Sequence, residues 1–341
     1  MSFGENEPLT PQAVADAHER IQAYVHHTPL LESKQLNHWL GHRVVFKAEG
    51  LQKVGAFKMR GAINTLLQLK EQGALPKRVV AFSSGNHAQA LAHSAQIMGV
   101  ESTIFMPKSA ALVKRQATLH YGAEVVVTET RQQAEEGIQA YIADGSTLIH
   151  PYDNNDIIAG QGTACLEALL DGVKPDVIFA TCGGGGWLSG TYLAAQLLAP
   201  KALIFGAEPR QANDAAQSLR KGSIVKLSES PDTIADGAQT LAVAERTFYF
   251  LRKLAGMVEV GEDEIVYWTQ WLSHLLKTAV EPTAAVAMAG LAHWLREQQK
   301  PQTALVMLSG GNVSAAAQQK VWAQDYLQDL PDLNRAWRVS A

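Results

Sequence analysis

The amino-acid sequence predicts an α/β protein of two lobes, each built on a parallel sheet covered by helices. The first observation is a regular alternation of apolar strands and amphipathic helices over residues 78–151, which indicates right-handed βαβ crossovers. A second alternation starts near Gly160 and continues to residue 308. Small and polar residues follow several of these strands, where open α/β sheets bind their ligands. We therefore expect a ligand cleft between the two lobes.

The N-terminal region is predicted to contribute a helix, a strand and a second helix. Thr10 and Pro11 are typical of a helix start, with threonine as the N-cap and proline as the first helical residue. A strand over residues 44–49 follows. From Met59 the apolar residues recur with the i, i+3, i+4, i+7 spacing of a helix, which places Lys58 at the start of that helix.

Residues 76–151 are expected to form a small domain that carries a substrate loop. Its predicted strands and helices alternate in the order 79–82, 86–98, 102–106, 111–121, 124–127, 131–143 and 147–150.

Residues 1–75 and 152–341 are expected to form a larger, discontinuous domain, with residues 153–156 as the hinge that leads into it. Its later predicted elements are helices over 160–170, 188–198, from Asp214, 262–276 and 283–297, and strands over 177–180, 203–207, 257–260 and 304–308.

Composition excludes several classes of partner. The net charge is −4 and no run of Lys and Arg exceeds two residues, so neither nucleic acid nor an anionic membrane is expected to bind. No apolar run approaches the length of a membrane span, and the first residues lack a signal core. Cys165 and Cys182 have no metal-like spacing and indicate a reducing compartment. We therefore expect a cytoplasmic protein that acts on a small molecule.

Lys58 is the candidate catalytic residue. The positive end of the helix dipole and the apolar residues before it both disfavour its ammonium form, which would lower its pKa. A lysine of this kind can act as a Schiff-base nucleophile. The alternative is an ordinary solvated lysine at a helix start.

Four consecutive glycines, Gly183, Gly184, Gly185 and Gly186, lie between a predicted strand and a predicted helix. Their backbone amides could converge on a phosphate. The spacing of a dinucleotide-binding motif fails, because Leu188 or Ser189 occupies the third glycine position. A dinucleotide-binding module remains an alternative, since Glu208 follows the glycines by about 20 residues, and so does a purely structural turn.

A polar segment follows the first strand of the small domain and opens the next helix. Small hydroxyls and free helix amides at this point suit a carboxylate. The segment consists of Ser83, Ser84, Gly85, Asn86 and His87. A lysine, a phosphate loop and a carboxylate loop together describe pyridoxal phosphate bound to an amino acid.

The sequence resembles the fold-type II pyridoxal-phosphate enzymes, which have a tryptophan synthase β-like fold, and specifically the serine/threonine dehydratase and serine racemase group. The stretches that carry the resemblance are Lys58, 83–89, 159–163, 183–186, 233–237, 281–282 and 309–313.

The resemblance implies a role for each matching residue. Lys58 would form the Schiff base, and Phe57 and Gly237 would face the pyridine ring. Asn86 would contact the 3′ oxygen of the ring, and Ser309 its nitrogen. Gly183–Gly186 would bind the phosphate. The resemblance further implies an amino-acid substrate and a homodimer.

The stretch from Glu208 to Asp214 resembles the divalent-cation site of the racemase-like members of the group. The expected ligands are the two carboxylates of Glu208 and Asp214 and the carbonyl of Ala212. Oxygen ligands with retained waters suit Mg²⁺ or Ca²⁺. The alternative is a strand end followed by an aspartate N-cap.

The leading functional hypothesis is an ammonia-lyase that dehydrates serine or threonine to a 2-oxo acid. A serine racemase, or a dehydratase or racemase of 3-hydroxyaspartate, is the alternative. The resemblance to the racemases implies that Ser84 would face Lys58 across the substrate and deliver a proton to the opposite side. Arg131 could attract a second substrate carboxylate or could be a helix-surface residue. Ala56 departs from the family, in which a serine usually precedes the Phe-Lys pair, and this leaves substrate preference open.

Overall fold

The computed structural model describes residues 9–335 and 337, apart from the side chains of Arg131, Gln132 and Glu135. Its N-terminal region contains α1 (Gln12–Ile21), β1 (Leu30–Glu32), α2 (Lys34–Leu40), β2 (Arg43–Ala48) and α3 (Lys58–Glu71).

The next elements form a small lobe. They are β3 (Arg78–Phe82), α4 (Asn86–Met98), β4 (Glu101–Pro107), α5 (Leu112–His120), β5 (Glu124–Thr128), α6 (Arg131–Ala143) and β6 (Thr147–Leu148). Their strands form a parallel four-stranded sheet in the order β5-β4-β3-β6.

The remaining elements complete a large lobe. They are α7 (Asn155–Leu170), β7 (Val177–Thr181), α8 (Gly186–Leu198), β8 (Leu203–Pro209), α9 (Asp214–Lys221), α10 (Glu245–Leu251), β9 (Gly256–Val260), α11 (Glu262–Leu276), α12 (Pro282–Arg296), β10 (Thr303–Leu308) and α13 (Ala315–Val321). No helix within the described residues is long and apolar enough to cross a bilayer.

The large lobe holds a six-stranded sheet in the order β1-β2-β10-β7-β8-β9. Every pairing in it is parallel except that of β1 with β2. The predicted fold class, two α/β lobes on parallel sheets, is confirmed. The antiparallel edge strand was not predicted, because three residues after Thr28-Pro29 are too few to show a period.

The topology brings two loops to one region. β7 and β10 are hydrogen-bonded neighbours, with Val306 opposite Phe179, so the segments that follow these two strands are adjacent. One of these segments contains the four glycines and the other contains Ser309. Parallel strands that end at a common edge create the crevice in which such sheets bind ligands.

Two helix starts differ from prediction. α7 begins at Asn155 and not at Gly160, and the Asn154 side chain caps it by accepting a hydrogen bond from the Ile157 amide. Part of the predicted hinge segment therefore belongs to the helix start. α1 begins at Gln12 with Pro11 as its N-cap and no side-chain cap, so Thr10 is not the capping residue. Both errors are shifts of a boundary within a correctly predicted helix.

A buried ionic cluster, formed by Lys47, Glu49, Arg60 and Glu167, joins α3 to β2 and α7. The Arg60 guanidinium donates to both oxygens of Glu49, at 2.7 and 2.8 Å, and to both oxygens of Glu167, at the same two distances. Lys47 donates to Glu167 at 2.8 Å and to the carbonyl of Thr28 at 2.7 Å. Two cations balance two carboxylates, so no charge in the cluster is left uncompensated. Arg60 thereby fixes the helix turn that carries Lys58.

We expect Arg60→Met to lower the free energy of unfolding by about 3–5 kcal/mol, since it leaves two buried carboxylates with only Lys47. Urea unfolding followed by circular dichroism measures the loss. Arg78→Met is the matched control, because Arg78 forms an exposed ion pair with Glu101. Equal, small shifts of the unfolding midpoint in the two variants would contradict the role given to the cluster.

Candidate active site

A cavity of about 370 Å³ lies at the carboxyl ends of the strands and is lined by residues of both lobes. This volume is typical of a site that encloses a small organic ligand. It is lined by most of the residues singled out from the sequence, namely Phe57, Lys58, Ser83, Ser84, Gly85, Asn86, His87, Gly183, Gly184, Gly185, Gly186, Gly237 and Ser309. Residues that are distant in the sequence, from Phe57 to Ser309, therefore share one cavity.

Lys58 is the first residue of α3 and reaches the cavity with its amine. Its Nζ donates to the carbonyl of Pro151 at 2.8 Å and lies 5.0 Å from the centre of the Phe57 ring. It has no carboxylate partner within the described residues. Burial lowers the pKa of Lys58 from 10.5 to about 7, because removal from water disfavours the charged form. The predicted direction of this shift is confirmed.

A second lysine, Lys114 of α5, lines the same cavity in a different environment. Its Nζ is 2.6 Å from Oδ2 of Asp236, which belongs to the large lobe. Burial acts to lower the pKa of Lys114, but the carboxylates of Asp236 and Glu281 outweigh it and raise the pKa above its usual value. No sequence pattern indicated Lys114, since it lies in a helix beside the exposed Leu112 and Val113.

The glycine turn, Gly183–Gly186, presents unpaired donors to the cavity. The amides of Gly183, Gly184 and Gly185 donate to no other group among the described residues. Gly185 has φ of +83°, and a Cβ on Gly184 would lie 2.2 Å from the Tyr152 ring, so these two positions require glycine. The indole nitrogen of Trp187 is also buried and has no hydrogen-bond partner in the part of the chain that the structure describes. Free amides at the start of α8 suit an anion such as phosphate.

The serine turn, Ser83–His87, connects β3 to α4. The hydroxyl of Ser83 accepts a hydrogen bond from the Gly85 amide at 3.2 Å, whereas Ser84 is exposed to the cavity. His87 donates from Nε2 to the carbonyl of Ile149 at 2.9 Å, and its buried Nδ1 has no partner among the described residues. Burial, reinforced by Lys58, lowers the pKa of His87 to about 3. His87 is therefore neutral near pH 7 and is a poor candidate for a group that donates a proton in catalysis.

Asn86 and Ser309 converge on a residue to which the sequence assigned no role. The hydroxyl of Ser309 is 2.8 Å from Oε1 of Glu281, and Nδ2 of Asn86 is 3.1 Å from Oε2. Glu281 immediately precedes α12 and is almost completely buried. Burial raises the pKa of its carboxyl group. In the sequence, Glu281 belongs to the stretch 281–282 that carries part of the family resemblance, but no pattern gave it a role.

Phe57 and Gly237 lie on the lining of the same cavity. The Phe57 ring stacks on Trp187, with ring centres 4.1 Å apart and planes 8° from parallel. The amide of Gly237 donates to the hydroxyl of Thr283 at 3.0 Å. Their contacts with a pyridine ring stay predictions. Arg131 begins α6, but its side chain lies outside the described part of the structure.

The residues expected to bind a cation lie outside the cavity lining, beside β7. Glu208 accepts from the amides of Ala215 and Ala216 at 3.2 and 2.8 Å, so Glu208 and not Asp214 caps α9. Neither carboxylate oxygen of Asp214 has a hydrogen-bond partner of ordinary geometry among the described residues. Burial raises the pKa of Asp214 to about 7, and burial together with the charge of Asp214 raises that of Glu208 well above its usual value.

A bound cation would offset the electrostatic repulsion between the buried carboxylates of Glu208 and Asp214. No cluster of three or more His, Cys, Asp or Glu side chains with metal-binding geometry occurs within residues 9–335 and 337. Because the Asp214 oxygens have no hydrogen-bond partner of ordinary geometry among the described residues, the pair fits an oxygen-ligated ion that keeps several waters. The aspartate N-cap expected as the alternative does not form.

Comparison with known proteins gives consistent matches along most of the chain. A family model described as "Pyridoxal-phosphate dependent enzyme" matches residues 21–310. The L-threo-3-hydroxyaspartate ammonia-lyase of Saccharomyces cerevisiae is 45% identical over 305 residues, 88% of this chain and 92% of that protein. The serine racemase of Schizosaccharomyces pombe is 42% identical over 304 residues, 88% of this chain and 93% of that protein. The solved serine racemase of Dictyostelium discoideum matches with a TM-score of 0.83 at 38% identity, over 90% of this chain and 99% of that chain.

We expect the amine of Lys58 to titrate near pH 7, since burial disfavours its charged form. Competitive acetylation by acetic anhydride between pH 5 and 9, read by mass spectrometry, should show half-maximal reactivity of Lys58 near that pH. Lys70, which is exposed in the last turn of α3, provides the reference peptide. Reactivity of Lys58 that follows Lys70 across the whole range would contradict the assigned pKa.

Proposed function

The chain belongs to the family of pyridoxal-phosphate dependent enzymes, and on this premise we propose that it deaminates a β-hydroxy amino acid such as L-threonine or L-serine. Water is eliminated first, and hydrolysis of the resulting imine then leaves a 2-oxo acid and ammonia. The observation that carries the proposal is that a lysine with a pKa of about 7 shares one cavity with the glycine turn and the serine turn. An amine that is neutral near pH 7 can be both nucleophile and base.

The residues of the cavity fit pyridoxal phosphate. The free amides of the glycine turn suit its phosphate, and the amine of Lys58 suits its carbonyl group. Phe57 and Gly237 are proposed to border the ring, Asn86 to contact its 3′ oxygen, and Ser309 to contact its nitrogen. When bound, this cofactor supplies an electron sink that acidifies the α-hydrogen of an attached amino acid.

The protein's own groups would then bind the substrate and move its protons. The free amides at the start of α4, in the serine turn, are proposed to hold the α-carboxylate, because a helix N-terminus stabilises an anion. Lys58 is proposed to take the α-proton, since its amine is neutral near pH 7. The β-hydroxyl takes up a proton and leaves as water, which balances the α-proton that Lys58 removes. A water molecule then hydrolyses the C=N bond of the resulting imine and releases ammonia.

The substrate class extends to 3-hydroxyaspartate, which carries a second carboxylate. A relative 45% identical to this chain is named as the ammonia-lyase of that compound. A second carboxylate would need a cationic partner. The described residues that line the cavity include two lysines, Lys58 and Lys114, and no arginine. Since Asp236 already pairs with Lys114, we propose Arg131 as the partner for this carboxylate.

Racemisation is the second candidate activity, and the exposure of Ser84 to the cavity supports it. Inversion requires an acid on the face opposite Lys58, because lysine alone returns the proton to the side from which it came. We propose that Ser84 is that acid. Relatives named serine racemase support the same proposal.

The function is tested with the loaded enzyme and the enantiomers of serine, threonine and 3-hydroxyaspartate, following oxo acid and chiral amino acid together. Wild type should form oxo acid. Ser84→Ala should lower racemisation of L-serine by about 100-fold or more, as expected for loss of an acid–base group. Elimination from L-substrates should fall by no more than about tenfold, since Lys58 still takes the α-proton and only orientation is impaired.

Lys58→Ala is the control and should abolish both reactions. If no oxo acid forms from any of these compounds, the proposed function is wrong. If Ser84→Ala racemises L-serine at the wild-type rate, only the role of Ser84 is wrong.

We further propose that Glu208, Asp214 and the carbonyl of Ala212 bind Mg²⁺ or Ca²⁺. The site would act on the glycine turn through Cys182, which immediately precedes Gly183 and whose pKa is raised by burial and by both carboxylates. The amide of Cys182 also donates to the carbonyl of Ala207, next to Glu208, at 2.8 Å. A bound ion would therefore order the segment that holds the phosphate.

Cation binding should strengthen as the pH rises through about 7. In the cation-free protein, burial raises the pKa of Asp214 from 3.8 to about 7. Between these two pH values the native state therefore holds one proton more than the unfolded state. The free energy of unfolding accordingly falls as the pH rises from about 4 to about 7. A cation takes the place of that proton. We expect Mg²⁺ or Ca²⁺ to raise the melting temperature more at pH 8 than at pH 6.

Asp214→Asn should remove this cation-dependent increase, whereas Asp144→Asn, at the exposed end of α6, should keep it. A melting temperature that responds equally to the cation in wild type and in Asp214→Asn would exclude the site.

Two finer properties belong to the same proposal. We propose a cytoplasmic location, which the unpaired thiols of Cys165 and Cys182 support. We also propose a homodimer, which the resemblance to the serine racemase group supports.

A further inference from the structure

Glu281 contacts both residues that are proposed to bind the polar atoms of the cofactor ring. Its Oε1 is 2.8 Å from Oγ of Ser309, and Nδ2 of Asn86 is 3.1 Å from Oε2 and 3.3 Å from Oε1. Its side chain lines the cavity, and only 1% of the residue is accessible. Its backbone amide donates to the carbonyl of Gly310 at 3.1 Å, so the residue is tied to the segment that contains Ser309.

The direction of the hydrogen bond between Asn86 and Glu281 follows from a chain of contacts that starts at a backbone carbonyl. Nδ2 of Asn312 donates to the carbonyl of Val54 at 2.8 Å, and a carbonyl can only accept. The same amide group donates at 2.9 Å to Asn86, whose facing atom must therefore be Oδ1. Nδ2 of Asn86 then faces Glu281 as a donor and keeps its second hydrogen for another acceptor.

The direction of the bond between Ser309 and Glu281 depends on the protonation of Glu281. An ionised carboxylate only accepts, so Ser309 would donate to it and could offer the cavity only a lone pair. A neutral carboxylic acid can donate to Ser309, and the serine hydroxyl is then free to donate into the cavity. Ser309 therefore offers a ring nitrogen a hydrogen-bond acceptor when Glu281 is ionised and a hydrogen-bond donor when Glu281 is neutral.

Among the described residues, no cation pairs with Glu281 alone. Lys114 attracts it, but Lys114 is bound to Asp236 at 2.6 Å, and the charge of Asp236 opposes that attraction. Burial is the largest influence and raises the pKa of Glu281. A buried carboxylate with two neutral donors and a shared, already neutralised lysine is poorly compensated.

We propose that Glu281 is a neutral carboxylic acid that donates to Ser309 and thereby makes the serine hydroxyl a donor toward the cofactor's ring nitrogen. This inference rests on the proposed function for the position of the ring. The proton of Glu281 stays on Oε1, the proton of Ser309 points to the ring nitrogen, and that nitrogen remains unprotonated. Asn86 offers its remaining hydrogen to the 3′ oxygen. Glu281 is a positioning residue in this arrangement.

An unprotonated ring nitrogen has a chemical consequence for the two candidate activities. A protonated pyridine withdraws charge from the α-carbon more strongly than a neutral one. A neutral ring therefore disfavours a long-lived carbanion and favours prompt loss of a β-leaving group. Glu281 would bias the site toward elimination and away from racemisation.

Infrared spectroscopy of the cofactor-free protein at pH 7 tests the state of Glu281 directly. We expect a band of a protonated carboxyl group that is lost in Glu281→Gln and moves to higher frequency in Ser309→Ala, because the acid then loses its acceptor. Glu229→Gln, at an exposed position, is the matched control and should remove no such band. If Glu281→Gln removes only a carboxylate band, the proposal is overturned.

Nitrogen-15 NMR of the wild-type protein, loaded with pyridoxal phosphate labelled at the ring nitrogen, tests whether that nitrogen is unprotonated. This measurement needs no variant. We expect the chemical shift of an unprotonated pyridine. Glu281→Gln should show the same shift, since its amide can donate to Ser309 as the acid does. A protonated ring nitrogen in wild type overturns the proposal. Failure of the protein to bind pyridoxal phosphate overturns the proposed function instead, and the infrared result still decides the state of Glu281.

Discussion

The amine of Lys58 is buried away from water and has no carboxylate partner among the described residues. The proposed chemistry depends on this burial of an uncompensated amine, because it lowers the pKa of Lys58. A second lysine in the same cavity, Lys114, is also buried but lies 2.6 Å from Asp236. Burial lowers the pKa of Lys58 to about 7, whereas the neighbouring carboxylates raise that of Lys114. Two identical side chains therefore acquire different protonation states in one cleft, and this separates a nucleophile from a structural cation.

Packing remote from the cavity maintains the position of Lys58. Arg60, two residues further along α3, is held by Glu49 and Glu167, so the first turn of the helix is tied to both β2 and α7. The pairing of β7 with β10 brings the glycine turn next to Ser309. Lys58, the glycine turn and Ser309 thus rest on the six-stranded sheet and its covering helices, whereas Asn86 belongs to the small lobe.

Sequence patterns predicted the parts of the site that are local. The helix at Lys58 follows from apolar periodicity, and the glycine turn from its place between a strand and a helix. The role of Glu281 depends on contact with Asn86, 195 positions away, and that of Lys114 on contact with Asp236, 122 positions away. No local pattern encodes such pairs. The cap at Asn154 was missed for a different reason, because a cap and a hinge share the same polar composition.

Identifying which lysine captures the cofactor tests the central role of Lys58 most directly. The purified protein is incubated with pyridoxal phosphate, reduced with borohydride and mapped by mass spectrometry of its peptides. A single modification at Lys58 is predicted, since its amine is neutral near pH 7 while Lys114 stays charged beside Asp236. Modification at Lys114, or labelling spread over exposed lysines, would contradict the claim that desolvation selects Lys58.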